Sequence, residues 1–356
     1  MANILVNSES ESNQVNDLLN KEIPSYRQAY SDRTAWIMSC MSELAYIRFN
    51  PLFSNEKQKD YFIDNISKLI DKNKKSSLLS LLDIVGYDHN EEKKNLETEL
   101  GTLKMQLIET FDTNGTQAIL VSFKNFIVLS FRGTEATSVK DIKSDANGKT
   151  TACETGGKIH TGFKEAYDQV RFDIEKKLSE SELQEKPLFI TGHSLGGALA
   201  TVAAKKLTHK GGVAACYTFG SPRVGDEEWI ENIKAPIHRL VNAADCVTML
   251  PPGSETITAL SWLVNFIPWV GQSLRPVLLS NFGGYLHCGN MRYLTNCPCG
   301  EFNKVKLLYS VSIIHRIKGL IIKKLPWKSF LSDHSISVYR KKLTIIAQNR
   351  NASSPQ

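Results

Sequence analysis

Ser194 stands at the centre of Gly192-His193-Ser194-Leu195-Gly196, inside the run FITGHSLGGALA at residues 189–200. A serine between glycines at this spacing fits two roles. It is a nucleophile on a strained strand-to-helix turn, or it is a glycine-rich junction that merely packs. The neighbours favour the nucleophile. PLFITG before the serine is β-rich, and GALATVAAKKLTHK after it is Ala-rich and helical, closed by Gly211–Gly212. Strand before and helix after is the context that a nucleophile elbow requires. Gly192 and Gly196 leave room for backbone to approach closely. The following helix points its N-terminal N–H groups at the serine, which favours developing negative charge.

A serine hydroxyl needs a base to take its proton, and the base needs an orienting carboxylate. With this kind of elbow, that of α/β-hydrolases, the chain order is Ser, then Asp or Glu, then His. The downstream acids include Asp226, Glu227, Glu228, Glu231, Asp245, Glu255 and Asp333. Asp245 ends the apparent strand HRLVNAAD, where catalytic groups of parallel sheets belong; the others lie in helix-like or loop sequence. Among the downstream histidines, His209 ends a helix, His238 precedes the acid and His315 lies in a basic run. His287 and His334 remain as candidate bases.

The elements that must carry these groups alternate. YSDRTAWIMSCMSELAYIRF at residues 30–49 has apolar residues at helical spacing, with Ser31 or Asp32 to cap it and Pro51 to stop it. YFIDNISKLI and SLLSLLDIV read as two further helical pieces. TQAILVSF and NFIVLSFRG read as strands joined at Lys124–Asn125. GVAACYTFG and IHRLVNA follow as strands, with helical DEEWIENI between them. This alternation predicts an α/β fold with a mostly parallel central sheet and helices on both faces.

Composition sets wider bounds. The chain has 356 residues, 42% hydrophobic and 22% charged, near ordinary globular values. A net charge of +6 is mild for this length, and no zinc-finger spacing, RNA-binding aromatic signature or phosphate loop accompanies it. Seven scattered cysteines form no disulfide framework and point to a reducing compartment. Cys297 and Cys299 in NCPCG are two lone thiols, a poor metal site, and no metal or organic cofactor is expected. The first residues are polar and acidic and lack the regions of a signal peptide. A cytoplasmic or membrane-peripheral location, or export without a cleaved signal, is the expectation. Residues 1–24 read as a polar tail, 25–345 as one domain, and 346–356 as a second tail.

From about Tyr30 to Tyr339 the sequence resembles the class 3 lipases, the fungal-type lipase family of the α/β-hydrolases. The resemblance rests on ordered motifs: YSDRTAWIMSCMSELAY, IVLSFRGTE, IHTGFKEAY, ITGHSLGGALA, YTFGSPRVGD, VNAADCVTMLPP, GGYLHCGN and DHSISVYRKKL. It implies Ser194 as nucleophile, Asp245 as orienting acid and His334 as general base. It also implies an oxyanion hole made by Thr134 and the Leu195 N–H. His287 in YLHCG is structural in the family. His160 and His193 are expected to hold the architecture, and Arg132 to pair with a carboxylate beneath the site. The implied reaction is hydrolysis of carboxylic esters of lipids, acylglycerols or phospholipids, through an acyl-enzyme. An acyltransferase using the same intermediate and a non-catalytic lipid-binding module are the alternatives.

Two departures from the family stand out. Its lid segment lies between the oxyanion turn and the His-x-Gly-Phe motif. Here that stretch reads EATSVKDIKSDANGKTTACETGGK, polar and without an aromatic, where an amphipathic face would be needed. The apolar surface lies further along, in an insertion at 254–283 with Trp262, Phe266 and Trp269 in its centre, 256–282. Pro268 and Gly271 interrupt that stretch, so it makes a poor membrane span. A basic amphipathic segment at 303–328 carries seven Lys or Arg and no acid. These two segments are expected either to touch an anionic membrane, as cap and headgroup contact, or to pack as buried helices on the sheet.

Overall fold

The computed structural model describes residues 3–25, 28–47, 89–113, 115–133, 150–243, 245–253, 284–297, 300–312, 316 and 332–353. Its helices are α1 (Glu9–Asn20), α2 (Asp32–Leu44), α3 (His89–Thr102), α4 (Thr161–Leu178), α5 (Leu195–Lys206), α6 (Glu227–Glu231) and α7 (Ile336–Ser353). Its strands are β1 (Gln106–Thr113), β2 (Thr116–Phe123), β3 (Phe126–Phe131), β4 (Thr150–Ala152), β5 (Lys158–His160), β6 (Leu188–His193), β7 (Val213–Phe219), β8 (Ile237–Asn242), β9 (Asn290–Leu294) and β10 (Leu307–Leu308).

Eight strands form one sheet in the order β1-β2-β3-β6-β7-β8-β9-β10, and β4 pairs with β5 as a separate hairpin. The centre of the sheet, from β3 through β6, β7 and β8 to β9, is parallel, and the β1, β2 and β10 pairings are antiparallel. Every residue of β3, β6 and β8 is buried, as strands covered on both faces require. Side chains then alternate between two cores. Val128, Phe189 and Leu240 face α1, α2, α3 and α7, where Leu18, Trp36, Met38, Leu100 and Leu343 meet them. Leu129, Ile190 and Ile237 face α4, α5 and α6, against Tyr167, Ile174, Leu199 and Trp229. This is the expected α/β-hydrolase architecture, a mostly parallel sheet with helices on both faces.

Local chemistry sets several boundaries. The Ser31 hydroxyl accepts from the Thr34 N–H and caps α2, which ends at Leu44, well before Pro51. The Asp226 carboxylate accepts from Trp229 N–H to cap α6 and from Lys158 N–H to tie down the β4–β5 hairpin.

Both expected tails are corrected. Residues 1–24 contain α1, capped by Ser8, with Val15, Leu18 and Leu19 buried. The Ile4 and Leu5 N–H groups donate to Glu99 of α3, and their carbonyls accept from Arg340 of α7. The polar composition concealed a short i, i+3, i+4 apolar stripe, which suffices to dock a helix. At the other end α7 continues past residue 345, with Ile346 and Ala347 buried. Strands β1 and β9, helix α3 and the hairpin were not anticipated. The segment at 303–328 begins as a 3-10 turn (Phe302–Lys304) and the edge strand β10, not as an amphipathic helix. Its Arg316 is buried, 4% exposed, rather than facing solvent. The insertion at 254–283, the two helical pieces before residue 88, and the segment 134–149 with Thr134 lie outside the described residues.

Candidate active site

The parallel centre of the sheet brings three loops to one end. Ser194 follows β6 directly, Asp245 lies just beyond β8, and His334 sits ahead of α7. Ser194 has φ 56° and ψ −126°, a conformation that costs a non-glycine residue about 1–3 kcal/mol and persists only where surroundings enforce it. The enforcement is visible. The Ser194 N–H donates to the Phe219 carbonyl at 2.9 Å, and its own carbonyl accepts from Gly197 N–H at 2.9 Å. A Cβ on Gly192 would fall on the Gly196 carbonyl, and one on Gly196 would meet the Phe131 carbonyl. The turn is closed tightly enough that only hydrogen fits at both positions. Leu195 opens α5, so its N–H is one of those that no intrahelical carbonyl can satisfy.

The hydroxyl of Ser194 lies 2.8 Å from His334 Nε2, across 140 positions of sequence. His334 Nδ1 lies 3.0 Å from both oxygens of Asp245. Asp245 is 0% exposed, so its charge must be satisfied from within. The Val247 N–H donates to Oδ1 at 3.0 Å and the Tyr339 hydroxyl to Oδ2 at 2.7 Å. Burial, and then the adjacent Asp245, push the Tyr339 hydroxyl well above its ordinary range, so it stays a donor. It accepts in turn from the Asn242 N–H at 2.9 Å. The Asn242 side chain donates to the Asp333 carbonyl at 2.7 Å, which anchors the backbone just before His334.

The remaining histidines have settled duties. His193 Nε2 donates to the His334 carbonyl at 2.6 Å, and its Nδ1 lies 2.8 Å from the Tyr46 hydroxyl. Burial, and then the neighbouring His334, hold His193 well below the usual imidazole range. A neutral ring that donates through Nε2 accepts through Nδ1, so Tyr46 donates to it. His287 is half-buried and donates through Nε2 to the Thr248 carbonyl at 2.6 Å. Burial, followed by repulsion from Arg239 and Arg223, keeps it neutral. The geometry therefore gathers Ser194, His334 and Asp245 and leaves His287 outside. His160 caps α4 by accepting from Phe163 N–H and stacks on that ring. Arg132 donates to the Gln117 amide oxygen at 2.5 Å and lies over the Tyr46 ring.

Sequence reasoning assigned no role to Tyr339, Asn242, Tyr46 or Arg316. Tyr339 was visible as the last residue of the DHSISVY motif. Tyr46 and Asn242 also lie inside quoted motifs, YSDRTAWIMSCMSELAY and VNAADCVTMLPP, but their partners lie far away along the chain, and Arg316 had no signal.

Residues 128–255 match the family model described as lipase (class 3). That stretch is a class 3 lipase domain. It contains Ser194 and Asp245, and its matched residues end before His334. A secreted mono- and diacylglycerol lipase of Fusarium solani is 37% identical over 134 residues, 35% of this chain and 39% of that protein. A lipase of Rhizopus niveus is 33% identical over 168 residues, 42% of each. The chloroplastic phospholipase A1-Igamma1 of Arabidopsis thaliana is 28% identical over 191 residues, 42% of this chain and 37% of that one. The chain thus spans less than half the length of these three relatives. Among solved structures, the native Rhizomucor miehei lipase propeptide complex covers 67% of this chain and 71% of its own, at 23% identity and a TM-score of 0.47.

Proposed function

We propose that the class 3 lipase domain makes this protein a serine-dependent hydrolase of lipid carboxylic esters. The observation that carries the reading is the unbroken hydrogen-bonded chain from Ser194 Oγ through His334 to Asp245 at the end of a parallel sheet. In that reading His334 Nε2 takes the proton as Ser194 Oγ attacks the ester carbonyl. Asp245 orients the ring and stabilises the imidazolium. The Leu195 N–H at the start of α5 receives the oxyanion, with Thr134 of FRGTE as the second donor implied by its motif. Collapse of the tetrahedral intermediate expels the alcohol, which takes the proton from His334. Water then enters by the same steps in reverse order, releasing the acid and restoring Ser194.

The relatives support lipid esters as the substrate class: their names include mono- and diacylglycerol lipase and phospholipase A1. Contact with an anionic membrane through residues 256–282 and 303–328 belongs to the same proposal, supported by their apolar and basic sequence. Liposome flotation with and without 256–282 tests it, and equal binding by both forms overturns it.

The reaction is tested by the Ser194→Ala variant assayed beside the wild type on p-nitrophenyl esters, acylglycerols and phospholipids. The expected loss in kcat is about 10⁴- to 10⁶-fold. The wild type should take a fluorophosphonate label that the variant does not. A wild type that hydrolyses none of these esters and takes no label overturns the reading.

A further inference from the structure

We infer that Arg316, from the basic segment 303–328, is a positioning residue that holds the Asp245 loop from behind and supplies a cation to the triad. This rests on the serine-hydrolase reading above. The segment carries seven Lys or Arg, and its two expected roles are headgroup contact and buried packing on the sheet. Arg316 itself is 4% exposed. Its Nη2 donates to the Asp245 carbonyl at 3.2 Å and to the Thr248 hydroxyl oxygen. The Thr248 hydroxyl spends its own proton on the same Asp245 carbonyl, at 2.9 Å, and is therefore free to accept. One guanidinium nitrogen thus bridges the residue that carries the acid and the 3-10 turn Val247–Met249 that follows it.

The electrostatics follow from burial. Asp245 is 0% exposed, so whatever offsets its carboxylate must come from within the fold. The Tyr339 hydroxyl and the Val247 N–H donate to the carboxylate, and both are neutral donors. Burial lowers the basicity of Arg316, and the attraction of Asp245 is the largest influence opposing it. A buried guanidinium and a buried carboxylate each carry a desolvation cost, which their mutual attraction offsets in part. Arg239 on β8 lies close enough to repel Arg316 and is held down to about 10, first by burial and then by that repulsion. Arg316 is therefore a cation kept near the triad against its own preference.

Two kinetic consequences separate this role from simple packing. The groups around the His334 ring are Ser194 and His193 from the elbow, Asp245 from the β8 loop, Tyr339 from α7, and Arg316 behind Asp245. A cation there disfavours the imidazolium. Removing it moves the acid limb of the kcat/KM–pH profile to higher pH, whereas loss of folded protein lowers the amplitude without moving the limb. Second, no substrate contact is lost, so kcat falls and KM holds.

The test is Arg316→Gln and Arg316→Lys in the full chain, assayed on a soluble p-nitrophenyl ester with near-UV circular dichroism to measure the folded fraction. For Arg316→Gln the expected result is a fall in kcat of about 10- to 100-fold, in the range that misplacement of a catalytic group produces, unchanged KM, and an acid limb moved upward. For Arg316→Lys the charge remains but the forked hold is lost. The limb should stay in place while kcat falls less than in the Gln variant. Wild-type kcat in Arg316→Lys, or a Gln variant whose loss matches its folded fraction with an unmoved limb, overturns the inference. If the Gln variant does not fold, the Lys variant decides alone. Fluorophosphonate labelling of the wild type separates the two readings: a labelled wild type with indifferent Arg316 variants sinks only this one, and an unlabelled, inactive wild type sinks both.

Discussion

Ser194 is held by backbone, whereas Asp245 and His334 are held largely by side chains. The elbow is almost entirely backbone. Its strand ladder to β3 and β7, the first turn of α5 and the absence of Cβ atoms at Gly192 and Gly196 define it. The acid–base half is a side-chain network. Tyr339, Asn242, Thr248 and Arg316 converge on Asp245, and His193 and Asn242 grip the backbone on either side of the His334 Cα. Even Gly220 belongs to this half: with φ +59° it passes so close that a Cβ would lie 2.7 Å from Asp245 Oδ2. The first half should therefore break completely or not at all, and the second should weaken by degrees.

Gly192→Ala puts the first statement at greatest risk. Its Cβ would be driven into the Gly196 carbonyl, a backbone atom of the helix that the turn launches. Neither strand β6 nor α5 can yield, since both are buried. The expected cost exceeds about 4 kcal/mol, in the range reserved for severe core strain. Expression in inclusion bodies, or a folded protein that takes no fluorophosphonate label, is the expected outcome. A Gly192→Ala variant with wild-type melting temperature and kcat would show that the elbow is not closed by backbone contact.

The second half is sharpened by Tyr339→Phe. The ring, packed against Phe219 and His193, is retained, and only the hydroxyl goes. Asp245 Oδ2 loses a donor and the Asn242 N–H loses its acceptor. Removing a buried hydrogen bond to a charged group costs about 1.5–3 kcal/mol, which corresponds to a fall in kcat of roughly 10- to 100-fold if it is felt in the transition state. KM should hold. A drop in melting temperature without a drop in kcat would mean that Tyr339 serves the fold and not the acid.

The same contrast governs what could be read without coordinates. The elbow announces itself because its serine, both of its tight glycines and the strand and helix it joins fall inside FITGHSLGGALA and the β-rich run before it, although the Phe219 and Phe131 carbonyls that close on it come from other strands. Two central strands are equally legible: NFIVLSF and PLFITG are mainly apolar runs, as buried parallel strands tend to be, whereas IHRLVNA buries His238, Arg239 and Asn242 among its apolar residues. Edge elements are not. β1 reads QLIETFDT, with polar residues at most positions, and only its Phe111 is buried. α1 hid its three buried residues in an acidic, Asn-rich stretch. Asp245 could be chosen by its place after a strand, but His334 and His287 could not be ranked by composition, because what excludes His287 is a bond to the Thr248 carbonyl 39 positions away. The place of Arg316 was illegible for a related reason: a charge count registers a guanidinium but not the buried carbonyl and hydroxyl that receive it.

The smallest expected effect concerns acid, and it uses a histidine outside the chemistry. His238 lies on β8, the strand that leads to Asp245, and its Nε2 donates to the Gln28 carbonyl at 3.1 Å. Burial first, and then Arg292, lower it to about 4 against the pull of that carbonyl. In the unfolded chain a histidine titrates near 6.5, so between those values the unfolded state binds the extra proton. Stability is therefore full above about 6.5 and is lost progressively as pH falls toward 4. Between pH 7.5 and 6.0 this one residue should cost about 0.8 kcal/mol, or roughly 1 to 2 °C in melting temperature. His193 and His287, also held low by burial, add in the same direction. His238→Gln keeps a donor for the Gln28 carbonyl and cannot titrate. Its melting temperature should fall less over that pH interval than the wild type's, while the pH profile of kcat/KM, set in the acid–base half, stays where it was. If the variant instead shifts the kinetic profile, the strand that carries Asp245 transmits charge to the triad, and the division into a backbone half and a side-chain half fails at β8.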